Sequence, residues 1–144
     1  MDNMNDPAFA EATAGEEKKQ IIEKVDPSNT SGQETFITID DFKKVVAKIG
    51  KVLSAEAVAD SDKLIRFELD FGEEKPRQIL SAIREWYPEP EKLIGKSMLF
   101  VINLTPRKIR GLESNGMLMA VDGVDGSPVF IVPEAPVYPG ATVR

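Results

Sequence analysis

Apolar and charged residues alternate most regularly at Leu64-Ile65-Arg66-Phe67-Glu68-Leu69-Asp70-Phe71. A period of two predicts an antiparallel strand with one buried and one wet face. Gly72-Glu73-Glu74 supplies a turn, and Arg77-Gln78-Ile79-Leu80-Ser81 reads as the returning strand of a hairpin. Upstream, Val45 to Leu53 predicts a longer strand. It is preceded by the apolar, alternating Phe36-Ile37-Thr38-Ile39 and by Asp40-Asp41-Phe42-Lys43-Lys44, which reads as one capped helical turn. Downstream, Pro88-Glu89-Pro90-Glu91-Lys92-Leu93-Ile94-Gly95 predicts a short helix opened by prolines and stopped by glycine. Ser97 to Leu104, Gly116 to Val121 and Pro128 to Val132 are further strand candidates, the last two joined by the turn-rich Asp122-Gly123-Val124-Asp125-Gly126. Several short strands with one inserted helix predict an all-β fold closed into a small barrel. Pro133 to Arg144 carries three prolines and is unsuited to a central strand.

Residues 1–35 break this pattern. They are small, polar and acidic, with too little apolar surface to offset the entropy of ordering, and predict a disordered leader or linker. Only Ile21, Ile22 and Val25 share a helical face, over a span too short for a stable isolated helix. Residues 36–144 form the domain. Of the net charge of −6, eight acids against three lysines place −5 in the leader and leave −1 on the domain. A nearly neutral domain is free to carry a basic face.

The 144 residues contain no cysteine and no histidine. Thiol chemistry, disulfides, Cys/His metal sites and histidine acid–base catalysis are thereby excluded. No apolar run approaches the roughly 18 to 20 residues of a membrane span, and the acidic N-terminus lacks the basic segment and apolar core of a secretory signal. The expectation is a soluble, cytoplasmic protein with no membrane partner, no cofactor and no bound metal.

Candidate chemistry concentrates after Pro106, where Arg107, Lys108 and Arg110 place three cations within four residues. Unpaired cations are too costly to bury, so these side chains are expected on an exposed loop held between two apolar runs. Ser114-Asn115-Gly116 follows, offering a hydroxyl, an amide and a tight turn with exposed backbone N–H groups suited to phosphate, ribose and base edges. Lys63 and Arg66 open the alternating strand, and Arg84 follows the end of its partner. Arg66 and Glu68 also read as a cross-strand ion pair on a wet face. Trp86 and Tyr87, ahead of Pro88, are expected to seal one end of the barrel rather than stack on bases. The acids at Asp40-Asp41, Glu73-Glu74 and Asp122/Asp125 lie in turns without a partner nucleophile or base, and no phosphate-binding glycine motif is present. No catalytic residue is expected.

These residues carry a resemblance. Ile39-Asp40-Asp41-Phe42, Ser61-Asp62-Lys63-Leu64, Ser81-Ala82-Ile83, Tyr87-Pro88, Leu93-Ile94-Gly95-Lys96, Val101-Ile102-Asn103-Leu104, Pro106-Arg107-Lys108 and Gly111-Leu112-Glu113-Ser114-Asn115-Gly116-Met117 appear in order. Residues 36–144 resemble the tRNA-binding domain found at the C-terminus of many bacterial methionyl-tRNA synthetases, as a separate synthetase β subunit, and as a free-standing dimeric protein. The resemblance implies an oligonucleotide-binding (OB) barrel of five strands with a C-terminal dimerisation extension. It implies a structure-directed hold on tRNA, largely independent of sequence, in a homodimer that assists the catalytic synthetase subunit without aminoacylating tRNA itself. Carried over by position, the binding surface comprises Lys63, Arg66, Ser81, Arg84, Asn103, Arg107, Lys108, Ser114, Asn115 and Met117, to which the cation cluster adds Arg110.

Two departures stand out. The family usually has Asp-Leu-Arg-Val where this chain has Val46-Ala47-Lys48-Ile49, which removes the aspartate and exchanges a bidentate guanidinium for a point charge. Ser-Gly-Ile is also more usual than Ser81-Ala82-Ile83. A rival of another class is a protein-interaction module, since related domains serve as an export-associated chaperone and within a cytokine precursor. Such a role would use apolar surface rather than Arg107 and Lys108. A general single-strand binder would need a row of exposed aromatics, which the alternation of phenylalanines into the core does not provide.

Overall fold

The structure, a computed structural model, describes residues 35–144. The leader expected over residues 1–35 therefore lies outside the described residues, apart from Thr35. One compact body runs from Ile39 to Arg144. It opens with the single helical turn α1 (Ile39–Phe42), which starts one residue before the expected turn and takes Asp40 and Asp41 inside it, whereas residues 35–38 form no strand.

Five strands make the main sheet: β1 (Ala47–Ala57), β2 (Ile65–Asp70), β3 (Arg77–Ser81), β4 (Ser97–Val101) and, with β5 (Arg107–Ile109) and β6 (Leu112–Ser114) intervening, β7 (Met117–Leu118). Their order is β3-β2-β1-β4-β7, every neighbouring pair antiparallel. The sheet curls into a nearly closed barrel consistent with an OB-like fold. On β2, Ile65, Phe67 and Leu69 are fully buried while Arg66, Glu68 and Asp70 stay half-exposed, the division that alternation predicts. Between β3 and β4 the predicted helix is one 3-10 turn, Pro90–Leu93, with Gly95 at φ +91° turning the chain out of it.

The core gathers Val52, Ile65, Phe67, Leu69, Phe71, Ile79, Met98 and Phe100, with Phe71 and Phe100 edge to face at 5.5 Å. Tyr87 seals its end as expected, stacked on Phe130 at 4.7 Å and donating its hydroxyl to the Pro128 carbonyl at 2.7 Å. Trp86 does not join it and remains 43% exposed.

β1 serves two partners along one edge. Its second half pairs with β2, and a bulge between Val52 and Ser54 shifts the register so that Val52 and Ala55 both face the core. Its first half pairs instead with the C-terminal tail: Gly140 N–H donates to Ile49 C=O, Ile49 N–H to Ala141 C=O, and Val143 N–H to Ala47 C=O, at 2.7 to 2.9 Å. The proline-rich run thus does add to the sheet, because its last proline is Pro139 and the residues after it retain their donors. Gly140 is required there. Its φ is +87°, and a Cβ would stand 2.0 Å from the Phe71 carbonyl oxygen.

The strand expected from Gly116 to Val121 is split at Met119 into β7 and β8 (Ala120–Asp122), and β8 turns away to pair with β9 (Pro128–Phe130). Among the described residues no helix is long and apolar enough to cross a membrane.

Candidate nucleic-acid interface

The basic segment expected as a loop is a short β-ribbon. β5 (Arg107–Ile109) and β6 (Leu112–Ser114) pair with Arg107 opposite Ser114, Lys108 opposite Glu113 and Ile109 opposite Leu112. Arg110 and Gly111 form the turn at φ +53° and +80°, the left-handed pair that a two-residue hairpin requires. Strands of three residues are too short for alternation to register, which is why the sequence reads as a loop. The available signal was the pair Ile109 and Leu112, spaced evenly around Arg110-Gly111. Both pack on a small second core of Val58, Leu64 and Leu80. That contact seats the ribbon against the β1–β2 connection and β3.

Arg107, Lys108 and Arg110 are exposed, and none forms an ion pair with a carboxylate among the described residues. Lys63 has the same character and immediately precedes Leu64, one of the residues on which the ribbon rests. The Lys63 carbonyl accepts the Arg84 N–H at 3.0 Å, and the Arg84 guanidinium donates to the Ser61 carbonyl. Ser81 ends β3 directly opposite Ile65. The fold therefore brings Lys63, Ser81, Arg84, Arg107, Lys108 and Arg110 to one end of the barrel. Met117, on β7 opposite Val101, is 47% exposed.

Other residues of the expected set are engaged within the chain. Arg66 holds Glu56, directly across on β1, as well as Glu68 at 3.5 Å and the Gln78 Oε1 at 2.8 Å. Its cross-strand partner is Glu56; Glu68, expected in that role, lies on the same strand. The Asn103 carboxamide accepts the Val46 N–H at 2.9 Å and donates to the Lys44 carbonyl at 2.6 Å, tying the end of β4 to the start of β1.

Two groups of the Ser114-Asn115-Gly116 turn that were expected free, the Ser114 hydroxyl and the Asn115 N–H, are engaged within the chain. Ser114 is 5% exposed, and its hydroxyl accepts the Leu80 N–H at 3.0 Å and donates to Gly116 C=O at 3.3 Å. The Asn115 N–H donates to Gln78 C=O at 2.9 Å. β3 would otherwise be an open edge, and these groups close the barrel along it.

Arg77 was not singled out by sequence, where it is one arginine at a strand start. Its Nη1 donates to the carbonyls of Ile102 at 2.8 Å and Asn115 at 2.9 Å, and its remaining nitrogens hold Glu73. That hydrogen bond holds the Glu73 carboxyl below its ordinary value of 4.5, against a smaller opposing effect of burial. A cleft of about 440 Å³ lined by Glu73, Lys75, Arg77, Gln78, Glu113 and Asn115 borders the ribbon with mixed charge, so the uniformly basic surface stops there. Among the described residues no group of three or more His, Cys, Asp or Glu is placed to hold a metal ion.

An exposed cationic ribbon on the end of an OB-like barrel has the charge to complement a polyanion. Comparison with known proteins identifies the family. Residues 47–142 match the family described as "Putative tRNA binding domain". The methionine–tRNA ligase of Xanthomonas campestris is 47% identical over 118 residues, which are 82% of this chain and 17% of that enzyme. That of Methanocella arvoryzae is 47% identical over 108 residues, 75% of this chain and 15% of that enzyme. The chain thus spans about a sixth of the length of these relatives. A MetRS-related protein from Pyrococcus horikoshii superposes with a TM-score of 0.71 at 38% identity, over 77% of this chain and all of that one. The chaperone CsaA of Bacillus anthracis does so with a TM-score of 0.67 at 28% identity, over 76% of this chain and all of that one. With the match running from the first residue of β1 to the tail that completes its edge, this chain belongs to the tRNA-binding domain family related to methionyl-tRNA synthetases.

Proposed function

We propose that the domain binds tRNA through its basic end, by shape and phosphate rather than base sequence, as a non-catalytic accessory that raises the effective concentration of tRNA at a methionyl-tRNA synthetase. The observation that carries this reading is the ribbon itself: Arg107, Lys108 and Arg110 held rigidly, exposed and without carboxylate partners among the described residues, beside Lys63 and Arg84. Cations so placed neutralise phosphates spaced along a folded RNA. Met117 and the Asn115 and Ser81 side chains flank them, whereas Arg66, Asn103 and Ser114 act as framework. The domain works in the cytoplasm as a homodimer, using the exposed Val132, Val137 and Tyr138 of its C-terminal extension.

The test is a gel-shift titration with folded tRNA, heat-unfolded tRNA and single-stranded DNA of equal length at two salt concentrations. Preference for folded tRNA that fades with salt supports the reading. Absence of binding at low salt overturns it in favour of a protein-interaction role. The likeness to CsaA and a groove of about 550 Å³ lined by Phe130, Val132, Pro136, Val137 and two lysines, Lys51 and Lys96, support that second role.

A further inference from the structure

We propose that Arg66 is a positioning residue for the basic ribbon, acting through Gln78, and not itself a ligand for RNA phosphate; the inference rests on the tRNA-binding reading above. Arg66 projects from the outer face of β2, between Glu56 on β1 and Gln78 on β3, with Glu68 beside it. Two carboxylates bracket one guanidinium. A phosphate approaching this point meets a local excess of negative charge, unlike the one it meets at Arg107 or Lys108.

What Arg66 does control is the direction of an amide. A carboxamide is nearly symmetric in shape but has a donor at one end and an acceptor at the other, whereas a guanidinium only donates. Arg66 Nη1 therefore fixes Gln78 with Oε1 inward at 2.8 Å, which leaves Nε2 to face β6, where it donates to the Glu113 carbonyl at 2.7 Å. With Arg66 gone, Oε1 loses the donor that holds it, and the side chain that grips Glu113 is left on one hydrogen bond in place of two. Glu113 stands opposite Lys108, and its neighbour Ser114 stands opposite Arg107. The grip at Glu113 thus sets where two of the phosphate-facing cations lie. A two-stranded ribbon is marginal by itself, so such an anchor matters to its position. Asn115 N–H to Gln78 C=O and Leu80 N–H to Ser114 Oγ are the neighbouring anchors, and both are independent of Arg66.

The experiment uses the full chain and the variants Arg66→Met, Arg66→Lys, Gln78→Met and the Arg66→Met/Gln78→Met double. Binding of folded tRNA is measured across salt, and amide hydrogen exchange of residues 107–114 is measured without RNA. If Arg66 positions the ribbon, each single variant weakens binding about three- to tenfold, the loss expected of one hydrogen bond. The double is then no weaker than the worse single, the salt slope is unchanged, and exchange in β5 and β6 rises in all four. Lysine does not rescue, because a point charge cannot span Glu56 and Gln78 together. The proposal is overturned if Arg66→Met lowers the salt slope by one contact, roughly 0.7 to 0.9, while Gln78→Met is neutral or Arg66→Lys restores binding. Unchanged exchange in the ribbon overturns it as well. Should the unaltered chain bind no tRNA, the functional reading fails, and the exchange measurement still decides whether Arg66 holds the ribbon.

Discussion

The Ser114 hydroxyl and the Leu80 amide meet at 3.0 Å in the buried interior, although 34 residues separate them in the chain. One side-chain oxygen there stands in for a carbonyl that β6 does not offer to β3. Ser114→Ala leaves a buried N–H without a partner, which costs about 1 to 3 kcal/mol. Urea denaturation measures it, and a loss below about 0.5 kcal/mol, typical of surface changes, would show that the barrel closes without this bond.

Arg107 and Lys108 are exposed and bear no ion pair among the described residues, so replacing both with alanine should leave the fold intact. Binding of folded tRNA should weaken, and the slope of log affinity against log salt should fall by roughly 1.4 to 1.8 for two lost phosphate contacts. An unchanged slope would move the RNA to another face.

Gly140→Ala and Gly126→Ala both force alanine to positive φ, at +87° and +85°, but only the first meets an obstacle. Gly126 faces open space, so its variant should lose only the left-handed penalty, about 1 to 2 kcal/mol. Gly140→Ala should lose more, since the tail must lift from Phe71 and surrender its bonds to β1. Equal melting temperatures for the two would mean that the tail is not held as described.

Glu73 titrates below its ordinary 4.5 because Arg77 hydrogen-bonds its carboxylate. A carboxylate whose folded value is depressed adds stability above the unfolded value and loses it as pH falls through the folded one. Stability should therefore decline below about pH 4.5, the ordinary value, more steeply in the unaltered chain than in Glu73→Gln. Parallel acid-denaturation curves would remove Glu73 from the account. The effect is small, because the side chain is 37% exposed and screened by water.

Removing residues 133–144 cannot test dimerisation cleanly, since it also strips the partner from the first half of β1. Val132→Asp with Val137→Asp changes side chains that are 57% and 42% exposed and spares those bonds. Sedimentation at micromolar concentration should show the unaltered chain as a dimer and this variant as a monomer. A dimer in both would place the contact elsewhere.

Strand β2 was legible residue by residue, because each side chain from Ile65 to Asp70 declares its face by its polarity. The ribbon was not, since a three-residue strand has no period to read. The bulge after Val52 was equally silent: it returns Ala55 to the core where simple alternation from Val52 would have turned Ser54 inward. In the site, the cations were legible because unpaired charge must be exposed. Whether a polar residue faces solvent or another strand depends on partners far away in sequence. Ser114, Asn103 and Arg66 are held by Leu80, Val46 and Glu56, and nothing local to them announces it.

The shared edge of β1 has a consequence for how the chain is made. Ribosomal synthesis delivers β1 ahead of the tail, so the partner for Ala47 and Ile49 emerges only with Gly140 to Val143. Until then half of an eleven-residue strand offers unpaired main-chain groups to any other extended chain nearby. Closure over so long a separation is slow. A nascent chain is therefore open to mispairing along this edge until its last residues emerge.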